Sequence, residues 1–282
     1  MTEVIRSLRQ MSQWSNQMKE KDKTIGFVPT MGYLHEGHLS LMRRAKREAE
    51  KVVVSLFVNP AQFGPREDFK RYPRSFRKDL SLVKKENVDL LFAPNASDIF
   101  PIGYETVVET KRLSKILEGK SRLNHFQGVT TVVGKLFHIV QPNIAYFGQK
   151  DYQQAVIIKR MVKDLNFNIK IRILPTIRDA NGLALSSRNT YLSPWGRRSA
   201  PVLFCALQQG RDMIRSGTMD SVLVLAAMKK KIQQSQLVKL DYLAIVDTET
   251  LKPLKKIDKR ILLVGAIWIG KTRLIDNLIV SP

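Results

Sequence analysis

The feature that most constrains this chain is an alternation between short, nearly continuous apolar runs and charged amphipathic stretches. Lys51 to Val58 reads K-V-V-V-S-L-F-V, a β-branched run with almost no polar interruption. A strand of that kind expects cover on both faces, as in a parallel sheet with helices on either side. Before it, Thr24 to Val28 reads as a short apolar strand that Pro29 breaks. Between the two, a helix over Gly37 to Glu50 puts Leu39, Met42, Ala45 and Ala49 on one face. Arg43, Arg44, Lys46 and Arg47 fall on the other. Strand, helix and strand within about 35 residues make the crossover unit of a parallel sheet.

The same pattern recurs. A charged helix over Ser75 to Glu86 leads into a strand over Val88 to Phe92. Helices over Val129 to Val140 and Asp151 to Leu165 lead into strands at Ile144 to Phe147 and Ile169 to Leu174. Residues 3–20 read as a further amphipathic helix. After Pro175 the texture changes: 193–237 reads as mostly helical, followed by short strands at Asp241 to Val246, Arg260 to Ile269 and Thr272 to Asp276. The expected fold is α/β, a doubly wound parallel sheet of Rossmann-like form over 1–176. A smaller α+β domain over 177–282 follows, joined through Ile177 to Asn189. No internal repeat or low-complexity segment interrupts this plan.

Composition narrows the function classes. A single cysteine, Cys205, rules out an internal disulfide framework and suits a reducing cytosol. It sits in the apolar run V-L-F-C-A-L, where core packing is the expected role. The longest apolar stretch, Ile261 to Ile269, is about half of what a membrane-spanning helix needs. No basic segment followed by an apolar run opens the chain, so no secretory signal is read. The net charge of +22 favours polyanions by long-range attraction. Yet the lysines and arginines are spread along the chain, and no helix-turn-helix, zinc-ligand or aromatic RNA-binding pattern accompanies them. Most of this charge reads as solvated helix surface.

In open parallel sheets, ligands collect where loops leave the carboxyl ends of the strands. Three polar segments occupy such ends: Pro29 to His38, Asn59-Pro60-Ala61-Gln62-Phe63, and Gly148-Gln149-Lys150-Asp151. The first ends in His35-x-Gly37-His38, two imidazoles within one turn of a helix start. There, free backbone N–H groups and the helix dipole favour an anion. Gly37 admits close approach of phosphate to the backbone, and imidazole N–H groups stabilise charge that builds during displacement at phosphorus. The competing reading is that the two histidines merely cap the helix. No third or fourth ligand is placed to make them a zinc site. Lys150, at a helix start where a cation opposes the dipole, reads as a phosphate contact. Gln154, four residues on, reads as a reader of a substrate hydroxyl or carboxylate. Leu185-Ser186-Ser187-Arg188-Asn189, preceded by Asp179-Ala180-Asn181-Gly182, reads as a flexible loop whose hydroxyls and guanidinium close over a triphosphate.

Gly265-Ala266-Ile267-Trp268-Ile269-Gly270-Lys271-Thr272 matches the phosphate-loop pattern G-x-x-x-x-G-K-[ST] letter for letter. That loop must follow a strand and open a helix. Here the intervening residues read as part of a strand, and only ten residues follow Thr272. The match is a decoy.

Taken together, V-P-T-M-G-Y-L-H-E-G-H-L-S-L, S-L-F-V-N-P-A-Q-F, R-Y-P-R, F-G-Q-K-D-Y-Q-Q and G-L-A-L-S-S-R-N-T-Y-L resemble, in order and spacing, the pantoate–β-alanine ligase family of the H-x-G-H nucleotidyltransferase superfamily. Even I-W-I-G-K-T-R-L-I-D-N resembles that family's carboxyl-terminal strand pair, and the likeness covers almost the whole chain. The resemblance implies ATP-dependent ligation of pantoate and β-alanine to pantothenate through a pantoyl-adenylate, releasing AMP and pyrophosphate. It implies ATP contacts at Met31, Gly32, Tyr33, Leu34, His35, Glu36, Gly37, His38, Gly148, Gln149, Lys150, Asp151, Ile177, Leu185, Ser186, Ser187 and Arg188. The catalytic groups would be His38 (the proton donor), His35, Lys150 and Arg188. Gln62 and Gln154 would hold pantoate, Gln62 would border β-alanine, and Asn59 would support the pocket. In some relatives an acidic cluster near Asp79 is linked to magnesium. Here its neighbour is Lys78, so Mg²⁺ is expected to ride on the phosphates rather than on protein ligands. Here Asn124 stands where the family has glycine before His125 and Phe126. A cytosolic homodimer is expected from the family alone. The alternatives are another H-x-G-H nucleotidyltransferase, against which Gln62, Gln154 and the Ser-Ser-Arg-Asn loop argue, and a basic nucleic-acid-binding protein.

Overall fold

A computed structural model describes residues 2–65 and 67–282 and divides into two compact units. Met1–Gly148 with Gln153–Pro175 form the first, and Gln149–Tyr152 with Thr176–Pro282 the second.

The first unit runs β1 (Glu3–Ile5), α1 (Leu8–Glu20), β2 (Ile25–Thr30), α2 (Glu36–Glu48), β3 (Lys51–Leu56), α3 (Phe76–Lys85), β4 (Leu90–Phe92), α4 (Ala96–Ile99), α5 (Glu118–Ser121), α6 (His125–Val140), β5 (Ile144–Gly148), α7 (Tyr152–Asp164) and β6 (Lys170–Leu174). All six strands are parallel, in the order β1-β4-β3-β2-β5-β6. Apolar side chains alternate between the two faces. Phe27, Val53, Leu90 and Phe92 join a core with residues of α1, α6 and α7, while Val28, Val52, Val54 and Leu91 join one with residues of α2. That two-sided burial is what the uninterrupted run at β3 demanded, and the doubly wound α/β sheet is the expected one.

Three expectations need correction. Residues 3–20 are not one helix: Glu3, Val4 and Ile5 pair with Leu90, Leu91 and Phe92, and Ser7 then caps α1 by accepting from the Gln10 N–H at 3.4 Å. Local periodicity cannot register a partner more than eighty residues away. Pro29 does not end β2, which continues to Thr30 with Pro29 opposite Ser55. A missing N–H is tolerated there because β5 pairs with β2 only at Gly26 and Phe27, leaving no ladder for Pro29 on that side. α6 begins at His125, four residues earlier than its apolar pattern suggests, behind Asn124 in the left-handed region (φ 60°).

The second unit contains α8 (Pro194–Ser199), α9 (Val202–Arg215), α10 (Ser221–Gln233) and an antiparallel sheet of β7 (Val238–Asp247), β8 (Ile261–Ile269) and β9 (Thr272–Val280). Leu203, Leu207 and Ile214 of α9 and Val224, Met228 and Ile232 of α10 form its core with Leu263 and Ile267 of β8. β7 and β9 run several residues beyond the expected strands. The phosphate-loop look-alike is a hairpin: Ile269 pairs with Thr272 across a turn in which Gly270 takes φ +55°, and a strand follows. Without a helix start it offers no ring of N–H groups for phosphate.

Candidate active site

The chain goes from β2 to β3 and β4 on one side of the sheet and returns through β5 to β6 on the other. The strand order therefore reverses between β2 and β5, where open α/β sheets bind ligands.

At the end of β2, Thr30 Oγ1 donates to the Ser55 carbonyl at 2.7 Å and accepts from the Gly32 N–H at 3.2 Å. Gly32 and Tyr33 both adopt positive φ, +81° and +51°. For tyrosine that conformation is unfavourable and must be held from outside. Asp79, buried in the first turn of α3, holds it: its carboxylate accepts from the Tyr33 and Leu34 N–H groups at 2.8 and 2.7 Å. Burial pushes its carboxyl above the ordinary value, against the downward pull of those N–H groups and Lys78. Lys78 Nζ also lies 5.4 Å from the centre of the Tyr33 ring.

The loop delivers His35 as the N-cap of α2. His35 Nδ1 accepts from the Gly37 N–H at 3.2 Å, and His38 Nδ1 accepts from the His35 N–H at 3.3 Å. The ring centroids lie 4.1 Å apart. The capping reading is thus correct in its geometry, and it sharpens the functional one. With Nδ1 accepting in both rings, each neutral imidazole carries its proton on Nε2, as a donor. Glu36 takes no part in this cap; it pairs with Arg43.

After β3, Asn59 Oδ1 accepts from the Ala61 N–H at 3.2 Å, and its Nδ2 donates to Gln62 Oε1 and the Gly128 carbonyl, both at 3.0 Å. Gln62 Nε2 reaches Met31 Sδ at 3.2 Å, a weak acceptor that an oxygen would displace. The His125 ring donates from Nδ1 to the Gln62 carbonyl at 2.8 Å and accepts at Nε2 from Arg122 at 3.0 Å, since a guanidinium only donates. Arg122 is held in turn by Glu67 through contacts of 2.6 and 2.8 Å. Gly128 allows this packing: a Cβ there would fall 2.2 Å from the Ala61 carbonyl oxygen. Met31, Asn59 and Gln62 thus come together. Gln154 is half-buried in the first turn of α7.

In the second unit, Gln149, Lys150 and Asp151 form a 3₁₀ turn ahead of α7. Lys150 Nζ lies 3.6 Å from Asp151, and its side chain is 20% exposed. Ile177 and Leu185 are joined by a backbone hydrogen bond of 2.9 Å. The segment between them is a closed turn rather than an open loop, with Asp179 Oδ1 accepting from Asn181 and Leu183 at 3.0 Å. Ser186 caps the next turn by accepting from the Arg188 N–H at 3.3 Å, and Ser187 is buried. Among the described residues, no group of three His, Cys, Asp or Glu side chains could hold a metal ion.

A sequence model of the pantoate–β-alanine ligase family matches residues 3–279. The chain belongs to that ligase family. It is 52% identical over 279 residues to a pantothenate synthetase of Moorella thermoacetica and 51% identical over 278 residues to one of Thermotoga neapolitana, covering 99% of each chain. The fold is similar to a crystal structure of pantothenate synthetase from Thermus thermophilus, with TM-score 0.95, 44% identity and full coverage of both chains. It is also similar to a ligase from Francisella tularensis complexed with β,γ-ATP and β-alanine, with TM-score 0.81, 38% identity and 99% and 97% coverage. Family membership makes the chain an enzyme, a carbon–nitrogen ligase of the pantoate–β-alanine class. Sequence reasoning passed over the holding role of Asp79 and the Glu67–Arg122–His125 chain. Neither carries a local pattern, because each acts through a partner distant in sequence.

Proposed function

We propose that the ligation runs in two displacements at the residues described above. The pantoate carboxylate attacks the α-phosphorus of ATP, the bond to the bridging oxygen breaks, and pyrophosphate leaves. The amine of β-alanine then attacks the acyl carbon of pantoyl-adenylate, AMP leaves, and the nitrogen gives up a proton. A carboxylate is already anionic, so the first step needs charge neutralisation and alignment more than a base. The observation that carries this reading is the histidine pair at a helix start, where each Nδ1 accepts a backbone N–H and each neutral ring therefore bears its proton on Nε2.

In this reading His38 is the proton donor and His35, Lys150 and Arg188 neutralise phosphate charge. Met31, Gly32, Tyr33, Leu34, Glu36, Gly37, Gly148, Gln149, Asp151, Ile177, Leu185, Ser186 and Ser187 make up the rest of the nucleotide contacts. Gln62 and Gln154 hold pantoate, Gln62 borders β-alanine, and Asn59 keeps Gln62 in place. A protein-held Mg²⁺ does not fit Asp79, whose two oxygens already accept backbone N–H groups, so the ion travels on the nucleotide phosphates. The enzyme works as a cytosolic homodimer, which light scattering at twice the chain mass would bear out. Pantoate-dependent exchange of label between pyrophosphate and ATP tests the adenylation step. Exchange is expected with pantoate and without β-alanine; exchange with a different acid and none with pantoate would overturn the substrate assignment.

A further inference from the structure

The strand that follows the phosphate-loop look-alike, β9, carries Asp276 and Asn277 at its middle, two polar residues only 4% and 1% exposed. A side-chain amide this deep must have partners. Asn277 Nδ2 donates to the carbonyls of Gln149 and Lys150 at 2.9 and 3.0 Å, and Gln149 Nε2 returns a bond to Asn277 Oδ1 at 3.2 Å. One amide therefore grips two consecutive peptide units of the 3₁₀ turn that carries Lys150. The Asn277 N–H is itself fixed by Asp276 Oδ1 at 2.8 Å. Asp276 in turn is paired through both oxygens with Arg178, whose guanidinium stacks 3.7 Å from the Phe204 ring centre.

We propose that Asn277 is a positioning residue for Lys150: its amide sets the backbone from which that ammonium projects toward phosphate. This rests on the reading of Lys150 as a phosphate contact. A cation that stabilises a transition state contributes only where it is already in place, so a slack turn would lose most of its benefit.

A double-mutant cycle on the full-length enzyme tests this, read as kcat for pantoate-dependent pyrophosphate exchange well below each variant's melting temperature. Lys150→Ala is expected to lower kcat by about 10²–10³-fold. Asn277→Ala should lower it by roughly 10-fold or more alone, but by under about 3-fold in the Lys150→Ala background, because the two act as a unit. Asn277→Ser keeps one donor and should fall between wild type and Asn277→Ala; it carries the same cycle if the alanine variant fails to fold. Losses that simply multiply would overturn the positioning role while leaving Lys150 its own. If Lys150→Ala loses nothing, the phosphate role of Lys150 fails, and the positioning role with it.

Discussion

At His35 and His38 the two ring nitrogens divide their work. Nδ1 closes the start of α2, and Nε2 carries the proton of the neutral ring. Substitutions that mimic one nitrogen at a time should separate these roles. The oxygen of an asparagine at 38 occupies the place of Nδ1, so His38→Asn should keep the melting temperature near wild type while kcat falls about 10²–10³-fold. His38→Ala should lose activity to a similar extent and also destabilise the fold by about 1 kcal/mol, the usual scale for a lost cap. Calorimetry and steady-state kinetics on both variants check the split. Asp79 is the other residue whose role is geometric. In Asp79→Asn an amide N–H₂ faces a backbone N–H in place of an acceptor, so one buried donor loses its partner. The expected cost is about 1–3 kcal/mol in denaturant unfolding, with a raised KM for ATP as Tyr33 and its neighbours relax.

Between elements, a few side-chain and backbone contacts hold the junctions. Glu50, between α2 and β3, bonds Lys23 at 2.7 Å and the Thr24 N–H at 2.9 Å, tying the start of β2 to that of β3. Lys23 first and then the Thr24 N–H hold its carboxyl down at about 2, against an ordinary 4.5. A depressed folded value means that the contribution is present above 4.5 and disappears as pH falls toward about 2. Glu50→Gln should therefore lower the melting temperature at neutral pH and flatten its decline across that acid window. Equal slopes in wild type and variant would show that Glu50 plays no part in it. At the junction of α6 with the Asn59–Gln62 turn, Gly128→Ala forces a methyl onto the Ala61 carbonyl. Destabilisation of about 1–3 kcal/mol is expected, with KM for pantoate rising as Asn59 loses its carbonyl partner. By contrast Lys271→Ala, in the hairpin turn, should change kcat and KM by less than about twofold. A phosphate-loop lysine would be worth far more than that.

For the molecule as a whole, the +22 charge is an averaged property with many local partners. Arg43 meets Glu36 and Glu86, Arg44 meets Glu48, and Lys46 meets Asp89. No measurable binding to random duplex DNA is expected at about 150 mM salt without ATP, and retained salt-sensitive binding in a shift assay would revive the nucleic-acid reading. Among the described residues no helix is long and apolar enough to cross a membrane. Taken alone, the order of residues determined the elements whose signal is local. The apolar runs of β3 and β5, the amphipathic face of α2, the charged helix α3, and the H-x-G-H and Gln62 segments at strand ends were all readable, because side-chain period and turn chemistry act over a few neighbours. Tertiary structure decided whatever needed a distant partner. It made Glu3 to Ile5 a strand by supplying β4, let β2 run through Pro29 where β5 diverges, and set Asp79 under the histidine loop. It also turned an apparent phosphate loop into the hairpin whose Asn277 grips Lys150. Those outcomes depend on hydrogen bonds between groups tens to more than a hundred residues apart, and no local pattern records such a bond before the chain has folded.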